Sequence, residues 1–104
     1  MNFRILRNKD VLTVFIAGEL DHHNAGIIRE SVDIEIQSAR VRELIFDFAH
    51  LDFMDSSGIG ILMGRAKLLQ SYGGRVVVAG APEYIQRIIC LSGLENLVEL
   101  RKGA

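Results

Sequence analysis

The chain has 104 residues, which is the size of one small domain. Hydrophobic residues make up 49% and charged residues 24%, a balance that excludes an intrinsically disordered chain. The formal net charge of -1 argues against a general nucleic-acid binder and against a polybasic membrane anchor, because both need a basic surface.

The remaining composition fits a cytoplasmic protein. A single cysteine excludes an internal disulfide and is compatible with a reducing compartment. The first residues, 1–4, lack the pattern of a signal peptide. The longest apolar runs, such as 76–81, fall far short of the ~18 residues that a membrane span requires.

A β-hairpin is predicted at the start of the chain. Apolar and β-branched residues at 3–6 and 11–17 flank turn residues at 8–10. Because the second run is almost entirely apolar, we expect it to be covered on both faces, as in a sheet with helices packed on both sides.

The middle of the chain predicts a helix, a strand and a second helix. The first helix runs from an N-cap at Asn24 to about Ala39, with apolar residues at steps of three and four. The apolar run Leu44–Phe48 predicts a strand, and the segment Asp55–Gly58 begins a helix that reaches about Tyr72.

The last third repeats this alternation. A very apolar strand is predicted at Arg75–Ala79, followed by the loop Gly80–Pro82 and a third helix around 85–91. The segment Ser92–Leu94 is typical of a helix C-cap, and Leu97–Leu100 predicts a short edge strand. The fold class is therefore α/β: a single domain, 1–104, with a mixed, mostly parallel sheet of four to five strands and three helices.

Three loops are expected to meet at one edge of this sheet. The carboxyl ends of parallel strands share an edge, and the segments 18–23, 50–58 and 80–82 all follow such ends. The side chains that this arrangement brings together from distant parts of the chain are Asp21, His22, His23, Asp55, Ser56 and Ser57.

The segment Asp55–Gly58 places two hydroxyl groups at the start of a helix. Capping of the helix explains Asp, Ser and Gly in these positions without any further function. One hydroxyl is enough for a cap, however, so one of the two serines is left exposed. An exposed serine at a helix N-terminus is a good phosphate acceptor, because the helix dipole and the free N–H groups tolerate the added charge.

Other kinds of site fit the sequence less well. The glycines of 58–64 resemble a dinucleotide fingerprint, but the third glycine comes one place late and the motif follows the wrong strand. We therefore interpret Gly60 and Gly64 as positions of close helix-to-sheet packing. His22 and His23 lie beside one carboxylate with no third ligand nearby, which disfavours a metal site. The Gly-x-Ser-x-Gly motif of a nucleophile elbow is missing from the sequence. We predict no catalytic residue, metal or cofactor.

Several motifs in order along the chain carry a family resemblance. They are Gly18–His23, Phe53–Gly60, Gly64-Arg65, Gly73-Gly74 and Leu91–Leu94. With these motifs the sequence resembles the anti-sigma factor antagonists of the STAS-domain family, and within that family the stage II sporulation protein AA type.

The resemblance implies a partner-switching role in transcription regulation during sporulation. The unphosphorylated antagonist binds a cytoplasmic anti-sigma factor that is itself a serine kinase, and this frees the sigma factor. The kinase, which supplies ATP and Mg²⁺, then phosphorylates the antagonist on Ser56, and a separate serine phosphatase restores it. The residues expected to contact partners are Asp21, His22, His23, Asp55, Ser56, Ser57 and Gly58.

The resemblance also leaves alternatives open. Members of the family usually carry a further C-terminal helix, whereas this sequence ends at Ala104, so we expect a sheet that lacks that helix. A small nucleotide- or metabolite-sensing STAS domain is a second hypothesis. A STAS subunit of a transporter or of a stress-signalling complex is a third, and the run at 19–23 favours the sporulation type over it.

Overall fold

The computed structural model describes residues 2–103, so the two ends of the expected domain, Met1 and Ala104, lie outside the described residues. Its elements are β1 (Phe3–Asn8), β2 (Val11–Ile16), β3 (Gly18–Leu20), α1 (Ala25–Ser38), β4 (Glu43–Asp47), β5 (Leu51–Met54), α2 (Ser56–Gln70), β6 (Arg75–Ala79), α3 (Glu83–Leu91) and β7 (Val98–Arg101). A short 3-10 turn, Leu94–Asn96, precedes β7. The predicted hairpin, three helices and C-terminal strand are confirmed, and β3 and β5 are additional.

Five strands form the main sheet, in the order β1-β2-β4-β6-β7. The pair β1–β2 is antiparallel, and the other three pairs are parallel. This confirms a mixed, mostly parallel α/β sheet. It also brings the carboxyl ends of β2, β4 and β6 to one edge, as expected for strands joined by crossover helices.

The helices cover only one face of this sheet. The register aligns Leu12, Leu44 and Val76 on the face where buried residues of all three helices join one core. Residues of β2 alternate between buried and half-buried, so the expectation that both faces are covered is wrong. On the outer face, the carboxylate of Glu43 pairs with the guanidinium group of Arg75 at 2.6 Å.

A second, two-stranded sheet was not predicted. β3 and β5 pair in parallel, with Leu20 opposite Met54, and both of these side chains are buried. The strands are three and four residues long, too short to show a repeating pattern. Their pairing matters for the site because it aligns the two chain segments that lead into α1 and α2.

The helix boundaries largely agree with the sequence predictions. The buried stripe of α1 is confirmed at Ala25, Ile28, Val32 and Ile36. Gly93 has a φ of 82° after α3, its N–H donates to the carbonyl of Cys90, and the following Leu94 is buried. These features match the predicted left-handed C-cap with an apolar residue folded back onto the core.

Candidate functional site at the starts of α1 and α2

Two strand-to-helix connections lie side by side at the edge of the small sheet. Asp21 directly follows Leu20 at the end of β3, and Asp55 directly follows Met54 at the end of β5. The N–H of Asp55 donates to the carbonyl of Leu20 at 3.3 Å. The N–H of His22 donates to Asp55 Oδ2, also at 3.3 Å. The expected approach of the 18–23 and 50–58 segments is therefore observed.

The carboxylate of Asp55 joins the two connections. Its Oδ1 accepts the N–H of Ser57 at 2.8 Å and thereby caps α2, while Oδ2 accepts the N–H of His22. Removal from solvent works to raise the pKa of Asp55, but the hydrogen bonds from Ser57 and His22 outweigh it and hold that pKa below its ordinary value. Asp55 is therefore ionised at neutral pH, and it holds both segments as an anion.

The two serines after Asp55 lie in different environments. Ser56, the first residue of α2, is exposed. Ser57 is half-buried, and its N–H donates to Oδ1 of the Asp55 carboxylate. Since Asp55 provides the cap, capping does not account for the hydroxyl group of Ser56.

The two histidines project from the connection to α1. His22 Nδ1 lies 3.6 Å from Asp55 Oδ2, and His23 Nδ1 lies 3.7 Å from Asp21 Oδ1. The side chains are 70% and 78% exposed, and their ring centroids are 4.0 Å apart. Each imidazole is thus beside a different carboxylate and open to solvent.

Asn24 does not act as predicted. It occupies the N-cap position of α1, but its side chain makes no capping hydrogen bond. Its Nδ2 instead donates to the carbonyl of Glu19 at 2.6 Å, and its Oδ1 accepts the N–H of Asp21 at 2.9 Å. Asn24 therefore fixes the shape of the 19–24 segment. Sequence reasoning missed this role because Asn has the same preference for N-caps and for turns.

The glycines of α2 also differ from the prediction. A Cβ at Gly60 or Gly64 would meet nothing within 4 Å, so their interpretation as close helix-to-sheet contacts is wrong. A Cβ at Gly58 would instead lie 2.4 Å from Met54 Cγ and 3.1 Å from Leu20 Cδ2. Gly58 is buried and is the glycine that allows α2 to approach the small sheet.

The third predicted loop, 80–82, lies at the same edge but apart from this cluster. Gly80 packs beside Ala49, and its N–H donates to the carbonyl of Arg101. Within residues 2–103, no three His, Cys, Asp or Glu side chains are grouped in a way that could hold a metal ion. None of the helices described in that range is long and apolar enough to cross a bilayer.

Comparisons with known proteins agree with this fold. The family described as "STAS domain" matches residues 2–103. An anti-sigma F factor antagonist of Paenibacillus polymyxa is 34% identical over 93 residues, which are 89% of this chain and 80% of that protein.

Two solved structures of SpoIIAA resemble the chain over most of its length. The anti-sigma factor antagonist SpoIIAA in its unphosphorylated form superposes with a TM-score of 0.85 at 29% identity, covering 94% of this chain and 86% of that one. The Bacillus cell fate determinant SpoIIAA in the phosphorylated form superposes with a TM-score of 0.77 at the same identity, covering 94% and 89%.

Proposed function

The chain belongs to the STAS-domain family, and from this premise we propose that it is an anti-sigma factor antagonist controlled by phosphorylation of Ser56. In its unphosphorylated form it binds an anti-sigma factor that is a serine kinase, and the sigma factor is released. Phosphorylation ends the complex, and a serine phosphatase restores the antagonist. Both partners act in the cytoplasm, and the chain itself contributes no catalytic residue.

The exposed position of Ser56 is the observation that carries this proposal. A kinase has to bring the acceptor hydroxyl into line with the γ-phosphate of its ATP. Ser56 is exposed, and Asp55 makes no bond to its hydroxyl that would hold it back. Ser57 is half-buried, which makes it the poorer acceptor.

In the phosphoryl transfer to Ser56, the partner kinase supplies ATP, Mg²⁺ and the base that accepts the proton. The oxygen of Ser56 forms a bond to the γ-phosphorus of ATP, the bond to the β-phosphate oxygen breaks, and ADP leaves. The hydroxyl proton passes to a base of the kinase, which also holds Mg²⁺. In the reset step, water cleaves the phosphate ester and releases inorganic phosphate.

The surface around Ser56 supports control by charge. Asp55 directly precedes Ser56, and His22 Nδ1 lies 3.6 Å from Asp55 Oδ2. Asp21 and His23 form a second pair on the connection to α1, and Gly58 is buried in the first turn of α2. A phosphate adds about -1.5 to -2 charges at neutral pH. In the free protein the start of α2 favours this charge while Asp55 opposes it, so the domain keeps its fold. At a partner interface the same charge is removed from water, and a loss of about 2.7 kcal/mol lowers affinity roughly 100-fold.

The proposal is tested by incubation with the purified partner kinase and ATP, followed by intact-mass measurement. The wild type is expected to gain one phosphate, mapped to Ser56, and Ser56→Ala is expected to gain none. Ser57→Ala is the matched control and should still be phosphorylated. Equal phosphorylation of Ser56→Ala and the wild type would contradict the assignment.

A second experiment tests the switch itself. Ser56→Asp carries one negative charge at the proposed position, and we expect it to bind the kinase at least tenfold more weakly than Ser56→Ala. Affinity measured by titration calorimetry checks this. Equal affinities of the two variants would show that charge at this position does not control docking.

A further inference from the structure

We propose that His22 is a positioning residue for the phosphorylated state, in which its imidazole binds the phosphate on Ser56. This inference rests on the proposed function in one respect: it takes Ser56 as the acceptor. It assigns a role to a side chain that the unphosphorylated chain leaves 70% exposed.

The first argument is distance. The imidazole Nδ1 of His22 lies 3.6 Å from Asp55 Oδ2. Ser56 is the next residue, and consecutive Cα atoms are about 3.8 Å apart. Because the imidazole is exposed, it can rotate from the Asp55 carboxylate toward a phosphate on the neighbouring side chain, and this rotation gives up its contacts with Asp55 and with the His23 ring.

The second argument is charge. The first turn of α2, residues 56–59, contains no Lys or Arg, and the same is true of the connection 21–24. A phosphate on Ser56 would therefore lie beside ionised Asp55 with the two histidines as the nearby groups that can become cations. His23 Nδ1 is beside Asp21, whereas His22 is beside Asp55. Of the two, His22 is directed at α2.

The third argument is the backbone. The N–H of His22 already points at an anion of α2, because it donates to Asp55 Oδ2. The connection is held in this form by Asp21, whose Oδ1 accepts the N–H groups of His23 and Asn24 at 3.0 and 3.3 Å. The imidazole is thus presented from a fixed segment. A phosphate carries three acceptor oxygens and can bond to an imidazole N–H while the backbone contacts remain.

The event requires no covalent change. When Ser56 carries its phosphate, an imidazole N–H of His22 donates a hydrogen bond to a phosphate oxygen, and the negative charge of the phosphate favours the protonated form of the ring. The phosphate is then held between the starts of α1 and α2 rather than moving freely above them.

The test uses the full chain with phosphoserine incorporated at position 56 during synthesis, so that no kinase is needed. At pH 7, the ring ¹⁵N resonances of His22 should move toward the values of a protonated imidazole relative to the unphosphorylated chain. The rings of His23 and His50 serve as references within the same molecule and should move less.

Variants make the test specific. In the phosphorylated chain, His22→Gln should shift the ³¹P resonance of phosphoserine 56, and His23→Gln is the matched control that should leave it unchanged. A His22 ring that does not respond to the phosphate, or a His23 ring that responds as strongly, would overturn the proposal. Failure of the kinase to phosphorylate Ser56 would contradict the proposed function separately, because this measurement does not involve the kinase.

Discussion

The starts of α1 and α2 can be compared directly, because each follows one strand of the small sheet with an aspartate immediately after it. Between Leu20 and α1 the chain takes four residues, and the side chains of Asp21 and Asn24 hold that segment together. Between Met54 and α2 there is one residue, Asp55, and its side chain caps the helix.

Similar polar residues therefore have different structural roles at the two helix starts. At α1 the polar side chains bond to their own connection, which leaves the histidines pointing outward. At α2 the single aspartate serves the helix and the neighbouring connection together. The exposed Ser56 therefore directly follows a residue that is bonded to both connections, which suits the proposed phosphate because the surrounding backbone is held in place without it.

The largest effect is expected where the two strands meet α2. Gly58→Ala places a methyl group against Met54 and Leu20, both buried. Overpacking of this kind costs about 1–3 kcal/mol of the free energy of unfolding. Urea unfolding measures it, with the midpoint falling at unchanged slope. An unchanged or higher midpoint would mean that the approach of α2 to the small sheet is less close than described.

A smaller loss of stability is expected from Asn24→Asp, at the start of α1. As an N-cap, Asn and Asp are nearly equivalent, so Asn24→Asp would be neutral if Asn24 capped α1. Because Nδ2 of Asn24 donates to the carbonyl of Glu19, the substitution removes a donor, and we expect a loss of about 1 kcal/mol. Asn96→Asp, at an exposed position in the 3-10 turn, is the matched control and should change stability little. Equal midpoints for both variants would favour a capping role.

The Asp55 cap predicts a pH dependence. The pKa of Asp55 is lowered from an ordinary 3.8, so its contribution to stability is complete above that value and is lost as the pH falls through the lower folded-state pKa. The wild type should therefore exceed Asp55→Asn in stability near pH 7, and the difference should shrink below pH 3.8.

Acid-dependent stability has a second source in Glu43, and a control variant separates the two. Burial works to raise the pKa of Glu43, but Arg75 and Arg101 outweigh it and lower that pKa. The control compares Glu43→Gln with the double variant that also carries Asp55→Asn, by urea unfolding across the pH range. The difference in their stability should again shrink at low pH. A constant difference at all pH values would rule out Asp55 as its origin.

The smallest expected effect is a gain in stability at Gly60. Gly60 lies on the exposed side of α2, and a Cβ there would meet nothing within 4 Å. Gly60→Ala should raise the free energy of unfolding by up to about 1 kcal/mol, because Ala favours a helix over Gly. In the same unfolding assay, the change in the free energy of unfolding should have the opposite sign to that of Gly58→Ala. A loss of stability in both variants would contradict the distinction between the two glycines.

The sequence predicted most reliably the parts of the fold that rest on long patterns. The stripe of α1 extends over twelve residues from Ala25 to Ile36, and the alternation of helices with apolar strands indicated the parallel sheet. The strands β3 and β5 escaped because β3 has a single buried residue, Leu20, and β5 has buried residues only at its two ends, Leu51 and Met54. The recurrence of an apolar residue followed by Asp at 20–21 and 54–55 was the available signal for their pairing.

The structure brings the two predicted connections together, and their detailed contacts were not predicted. The meeting of the two connections followed from the rule that parallel strands end at one edge, so His22 and Asp55 were expected to be close. The bonds of Asn24 and the different surroundings of Gly58 and Gly60 depend on distances between elements that a pattern along one chain does not contain.

The Asp55 carboxylate has a consequence for local opening. The amide hydrogens of Ser57 and His22 bond to opposite oxygens of the same group, although 35 positions separate them along the chain (57 minus 22). Rotation of that one side chain exposes both amides to solvent at once. We therefore expect the two amides to exchange with solvent as a single opening unit, which would link the starts of α1 and α2 without any movement of the sheet.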